Sequence, residues 1–133
     1  MSAQHLAIGD LARGTATQVG TIRYYERIGL LPAPGRTAGN YRAYGPGHLS
    51  RLSFIRRSRD LGFSIEQIRA LLDLADQRDR PCEAVDAIAR AHRDEVDRKI
   101  ADLRALRGEL DGMIAGCHSG SIAECRIIET LSP

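Results

Sequence analysis

From Glu83 to Ala115 the chain reads EAVDAIARAHRDEVDRKIADLRALRGELDGMIA, with no proline, few β-branched residues and charges at most positions that are not apolar. That stretch predicts one long helix. Ala89, Val96, Leu103 and Leu110 recur every seven residues, with Leu106 and Met113 three further on, so a narrow apolar seam runs along it in the manner of a coiled coil. One helix cannot bury such a seam by itself. Cys82 stands immediately before the stretch and Cys117 just after it, and a helix of roughly 32 residues holds its ends ~48 Å apart at 1.5 Å per residue. Two thiols so placed cannot meet within one straight helix. If two copies pair antiparallel, crossing near Lys99 and Ile100, Cys82 of one chain arrives beside Cys117 of the other, and dimerisation and a thiol site become one event.

A chain of 133 residues forms one or two small domains with a modest core, which again favours help from an oligomer. Its charge is unevenly placed. Residues 1–63 carry 9 basic and 3 acidic side chains, a balance of +6, whereas residues 64–133 carry 10 and 14, a balance of −4. A basic front half joined to an acidic rear half points to a polyanion partner for the first. No apolar run approaches the roughly 20 residues of a membrane span, and the start MSAQHLAIGD lacks the layout of a signal peptide. The expectation is a cytoplasmic protein with no membrane partner, whose three cysteines serve metal binding, redox chemistry or plain burial rather than a structural disulfide.

The front half is punctuated into short helices. Ile8, Leu11 and Ala12 give one apolar face, ended by Gly14. Thr17 is placed to cap a second helix, Gln18–Ile28, in which Val19, Ile22 and Ile28 face inward and Arg23, Tyr24 and Arg27 are more exposed. Two helices joined by so short a turn form a helix-turn-helix, whose second helix ordinarily enters the major groove. Gly29-Leu30-Leu31-Pro32 stops that helix. A Gly- and Pro-rich stretch with Arg36 follows, and Tyr41-Arg42-Ala43-Tyr44 alternates as a short strand would. Together they read as a wing presenting Arg36, Tyr41 and Arg42, side chains suited to phosphate contacts. A second helix pair comes next: Gly47–Asp60, with Leu49, Leu52, Phe54 and Ile55 as its apolar set and Gly62 closing it, then a helix opened by the capping box Ser64-Ile65-Glu66-Gln67.

Thr21-Ile22-Arg23-Tyr24-Tyr25-Glu26, Gly29-Leu30-Leu31, Asn40-Tyr41-Arg42-x-Tyr44 and Leu61-Gly62-Phe63-Ser64 together resemble the MerR family of bacterial transcription regulators, and the likeness extends over the whole chain. The resemblance implies a mainly α fold: a winged helix-turn-helix DNA-binding domain (1–75), a hinge (76–82), a long antiparallel coiled-coil dimerisation helix (83–115) and a metal-binding loop with a short C-terminal helix (116–133). It also implies a mechanism, in which a homodimer sits on double-stranded promoter DNA whose −35 to −10 spacer is too long. Effector binding then makes the dimer bend and untwist that spacer so that RNA polymerase engages both elements. By position, Arg23 matches the family residue that reads base edges, and Tyr25, Arg36, Tyr41, Arg42 and Arg59 match positions that hold the backbone. Thr17 and Tyr24 complete the candidate DNA-binding set. Gly20 departs from the pattern where relatives carry a longer base-contacting side chain.

Cys117 and Cys125 bracket a small Gly- and Ser-containing loop. Seven intervening residues are no zinc-ribbon spacing, and on spacing alone two buried apolar thiols are the better explanation. The resemblance places a metal loop here, to which the antiparallel pairing brings Cys82 in trans; His118 is a candidate fourth ligand. Three thiolates suit a divalent thiophilic ion such as Zn²⁺, Cd²⁺, Pb²⁺ or Hg²⁺. Divalent-ion sensors of the family resemble this chain in having a cysteine at the start of the long helix, where copper sensors have serine, and the front motifs look more like the zinc, cadmium and lead branch than the mercury one. Two other classes compete. Cys117–His118 pairs a nucleophile with a base, but with no orienting acid or substrate pocket evident, so an enzyme is not expected. A metal buffer that does not bind DNA would have no use for the arginine-rich front half.

Overall fold

The computed structural model describes residues 5–117 and 120–132. Among these the order is α1 (Ile8–Thr15), α2 (Val19–Arg27), β1 (Gly35–Arg36), β2 (Arg42–Ala43), α3 (Pro46–Asp60), α4 (Ile65–Ala75), α5 (Glu83–Ala115), one 3₁₀ turn (Ile122–Glu124) and α6 (Arg126–Leu131). The fold is mainly helical with a two-stranded wing and one long helix, as the sequence implies. Two compact units divide it, one up to Val85 and one from Asp86 onward.

In the first unit the helices close around Leu11, Ile22, Leu30, Tyr44, Leu52, Ile55 and Ile68, all fully buried, with Tyr25, Leu31 and Leu72 completing the core. Strands β1 and β2 pair antiparallel, Gly35 opposite Ala43 and Arg36 opposite Arg42. Thr37 N–H donates to the Tyr41 carbonyl at 2.8 Å, and Asn40 takes a left-handed φ of 63° at the tip, a conformation that asparagine tolerates better than most residues. Leu6 and Tyr44 exchange backbone hydrogen bonds of 2.8 and 2.9 Å, seating the end of the wing on the N-terminal segment.

Three local expectations are corrected. α1 runs past Gly14 to Thr15 and is ended by Ala16 in the left-handed region, φ 51°. Because that turn falls at Ala16, Gln18 rather than Thr17 is the N-cap of α2. The Thr17 hydroxyl donates instead to the Thr15 carbonyl at 3.1 Å. Phe54, expected on the inner face of α3, is 37% exposed.

The capping box of α4 forms as the sequence predicts: Gln67 N–H donates to Ser64 Oγ at 3.1 Å, and Ser64 N–H donates to Gln67 Oε1 at 2.8 Å. Ser64→Ala is expected to lower unfolding free energy by about 1 kcal/mol, read as a lower urea midpoint with an unchanged slope.

In the second unit α5 carries its apolar side chains open to solvent within one chain, among them Val96, Ile100, Leu103, Leu106, Leu110 and Ile114. The sequence also puts His92 on that seam, yet it is the buried residue of α5, with Nδ1 3.9 Å from Glu95 Oε2. It therefore does not share the exposure of the leucines. Among the described residues no helix is long and apolar enough to cross a membrane.

Candidate functional site

Helix α2 is held by its buried side, Ile22 and Tyr25, so Arg23, Tyr24 and Arg27 fall on the open side. Arg23 makes no hydrogen bond or ion pair among the described residues, which leaves its fork of donors available. Arg27 lies over the Tyr24 ring, 5.8 Å from its centroid, within cation–π range. A cleft lined by Thr17, Gln18, Thr21, Tyr25, Arg56 and Arg59 lies beside the start of α2. Two of its cations are partly committed: Arg56 bonds Asp60 and the Ala16 carbonyl, and Arg59 donates to the Phe63 carbonyl at 2.9 Å, satisfying a loop carbonyl beyond the end of α3.

On the wing, Tyr41 is 76% exposed and Arg36 donates to the Asn40 carbonyl at 3.2 Å. Arg42 reaches back to α2, its Nη1 3.5 Å from Glu26 Oε2, while the Tyr44 hydroxyl donates to Glu26 Oε1. His48, an unremarked residue in the sequence, ties the same region together. Its Nδ1 accepts from Gly45 N–H at 3.1 Å, which assigns the proton to Nε2, facing the Pro32 carbonyl at 3.2 Å. Sequence reasoning missed Glu26 as well; a lone carboxylate among Arg and Tyr residues was the available signal.

Burial, then the Glu26 carboxylate, pushes the Tyr44 phenol up to about 12. An unfolded tyrosine ionises near 10, so the stabilisation is whole below that pH and is lost as pH rises through about 12. Between those limits the wild type is expected to lose roughly 2–3 kcal/mol more unfolding free energy than Tyr44→Phe. Urea unfolding at stepped pH measures it, and parallel curves would contradict the phenol–carboxylate assignment.

In the second unit, Cys117 follows the end of α5 and Cys125 is the N-cap of α6, with their sulfurs 4.0 Å apart. The backbone amides of Ile128 and Ile127 hold the Cys125 thiol below the usual range, as a helix N-terminus does. The hydrogen bond with Cys125 pushes Cys117 up. Two sulfurs on a tetrahedral ion with bonds of about 2.3 Å stand about 3.8 Å apart, close to the observed spacing, so the pair fits a thiophilic ion. Among the described residues no group of three His, Cys, Asp or Glu side chains forms within one chain. Cys82 is exposed, and His118 lies outside the described residues.

Residues 6–75 match the MerR HTH family regulatory protein model and residues 49–113 the MerR DNA-binding model. The chain is 42% identical to the HTH-type transcriptional regulator HmrR of Sinorhizobium medicae over 94% of its own length and 85% of that protein. It is 38% identical to the mercuric resistance operon regulatory protein of Bacillus cereus, over 93% of this chain and 95% of that one. Among solved structures it is similar to the transcription regulator PbrR691 of Ralstonia metallidurans CH34 in complex with lead(II), with a TM-score of 0.82 and 40% identity, covering 96% of this chain and 99% of that one.

Proposed function

The chain belongs to the MerR family of helix-turn-helix regulatory proteins, and from that premise we propose that it is a metal-responsive activator working as a homodimer on promoter DNA. Residues 1–75 bind DNA, 76–82 form the hinge, 83–115 pair antiparallel with the partner helix and 116–133 carry the metal loop. Arg23 reads base edges, and Arg36, Tyr41, Arg42 and Arg59 hold phosphates with Thr17, Tyr24 and Tyr25 beside them. The effector is a divalent thiophilic ion, Zn²⁺, Cd²⁺ or Pb²⁺, held by Cys117 and Cys125 of one protomer and Cys82 of the other, with His118 as the candidate fourth ligand.

The carrying observation is the thiol pair at 4.0 Å in a chain that also holds a winged helix-turn-helix. When bound, the ion supplies strong thiolate bonds that cross-link the protomers. The dimer then favours a setting of its two DNA-binding units in which the promoter spacer is bent and untwisted for RNA polymerase. A response to Hg²⁺ is the second reading, favoured by a three-thiolate set and by the likeness to the Bacillus cereus regulator. Competitive titration of the purified dimer with Zn²⁺, Cd²⁺, Pb²⁺, Hg²⁺ and Cu⁺ separates them. Footprinting with the bound ion should show new cleavage at the centre of the spacer with little change in DNA affinity. Release from DNA on metal addition would mean derepression, and no gel shift at all would favour a metal buffer.

Arg23→Ala is expected to weaken binding and relax base preference at one position per half-site by ~1–3 kcal/mol, whereas Arg42→Ala should weaken all sequences alike. Equal losses for Arg23→Ala on specific and scrambled DNA would remove it from base reading.

A further inference from the structure

We infer that Glu26 is a positioning residue for DNA recognition, fixing the wing against the recognition helix by aiming Arg42; this rests on the proposed phosphate role of Arg42. A carboxylate on a helix facing DNA repels phosphates, so its presence needs a reason. Its surroundings supply one. The Glu26 side chain is only 12% exposed and both its oxygens point at the wing strand: Oε1 receives the Tyr44 hydroxyl and Oε2 faces Arg42 Nη1 at 3.5 Å.

Beyond the Leu6–Tyr44 pair and buried Ala43 at its base, the wing's side-chain link to α2 is through Glu26. Each strand is two residues long, and the contacts of Arg36, Thr37, Asn40 and Tyr41 stay within the wing itself. Tyr44 anchors the far end, fully buried and paired to Leu6. Glu26 thus connects α2 directly to the wing. Guanidinium carries five N–H donors, so engaging one end with Glu26 leaves the rest for a phosphate while removing the freedom of the side chain. The distance between the major-groove contact of Arg23 and the phosphate contact of Arg42 is then set by one carboxylate, and with it the preference for operator over other DNA.

The test is a double-mutant cycle with Glu26→Gln and Arg42→Ala. Binding is measured by fluorescence anisotropy on operator fragments selected from random DNA with the wild-type protein, and on scrambled duplexes. Glu26→Gln keeps the shape and a hydrogen-bond acceptor for Tyr44 but removes the charge. It should lower operator affinity roughly tenfold, the scale of one charge-assisted hydrogen bond, while scrambled DNA binds as well as before or better because a negative charge is gone. In the Arg42→Ala background the same change should cost nothing further on the operator. Tyr44→Phe, which leaves the Glu26–Arg42 contact, should preserve the coupling and controls for general loosening. Equal losses from Glu26→Gln with and without Arg42 would overturn the inference and leave Arg42 as a phosphate contact. No loss from Arg42→Ala alone would overturn both.

Discussion

Aspartate at Leu103 and Leu110 together is expected to convert the proposed homodimer into a folded monomer that no longer holds an operator. Both leucines are exposed in the single chain, at 64% and 50%, and both lie on the seven-residue seam, so the substitution leaves the core of the first unit untouched. In a paired helix each would bury an unpaired carboxylate, at a cost of several kcal/mol apiece. The dimer dissociation constant should therefore rise by at least about a thousandfold. Sedimentation velocity at micromolar protein reads this directly, and far-UV circular dichroism should show α5 still helical. A double variant that sediments as a dimer would place the interface elsewhere on the chain.

The second large effect concerns the thiols. Cys82→Ser alone, or Cys117→Ser with Cys125→Ser, is expected to abolish the transcriptional response to metal and to cut affinity for Cd²⁺ or Zn²⁺ by orders of magnitude, while operator binding without metal stays within about twofold of wild type. Losing Cys82 leaves two thiolates of the proposed site and losing the loop pair leaves one, and thiophilic affinity depends on completing the donor set. DNA binding is spared because the first-unit core contains no cysteine. If Cys82→Ser responds to metal as the wild type does, the pair at 4.0 Å is sufficient and Cys82 is not a ligand. If every variant loses DNA binding too, the cysteines serve folding.

Elements defined by local chemistry were readable in the sequence. The proline-free, charge-laced run gave α5 its observed bounds, Glu83–Ala115, and the reciprocal bonds of Ser64 and Gln67 opened α4 where the capping pattern put them. The wing followed from Gly and Pro spacing and a short alternation. What could not be read was tertiary. Gly14 looks like a stop because glycine usually supplies the left-handed turn, yet Ala16 takes that conformation here, and the shift of the turn moved the cap from Thr17 to Gln18. The Glu26–Tyr44 contact joins residues 18 apart, and the bond from Arg69 to the Ile28 carbonyl, at 2.6 Å, joins residues 41 apart; neither has a periodic signature. At the candidate sites, residue types were legible, but their commitments were not. Arg59 is partly occupied by Phe63, and Arg42 is held by Glu26.

The proposed sharing of each metal site between protomers is tested most directly by a mixed dimer of Cys82→Ser with the Cys117→Ser, Cys125→Ser chain. In trans, one site survives, built from Cys82 of the second chain and the loop of the first; in cis, neither survives. The length of α5 favours the first case for any site that includes Cys82, since 33 residues span about 50 Å at 1.5 Å each and thiolate bonds to zinc are only about 2.3 Å. Isolated with two affinity tags and titrated with Cd²⁺ against a chromophoric chelator, the mixed dimer should hold one tightly bound ion per dimer. None bound would mean that the site closes within a chain, whereas an ion held as tightly by the Cys82→Ser homodimer would mean that Cys82 takes no part in it.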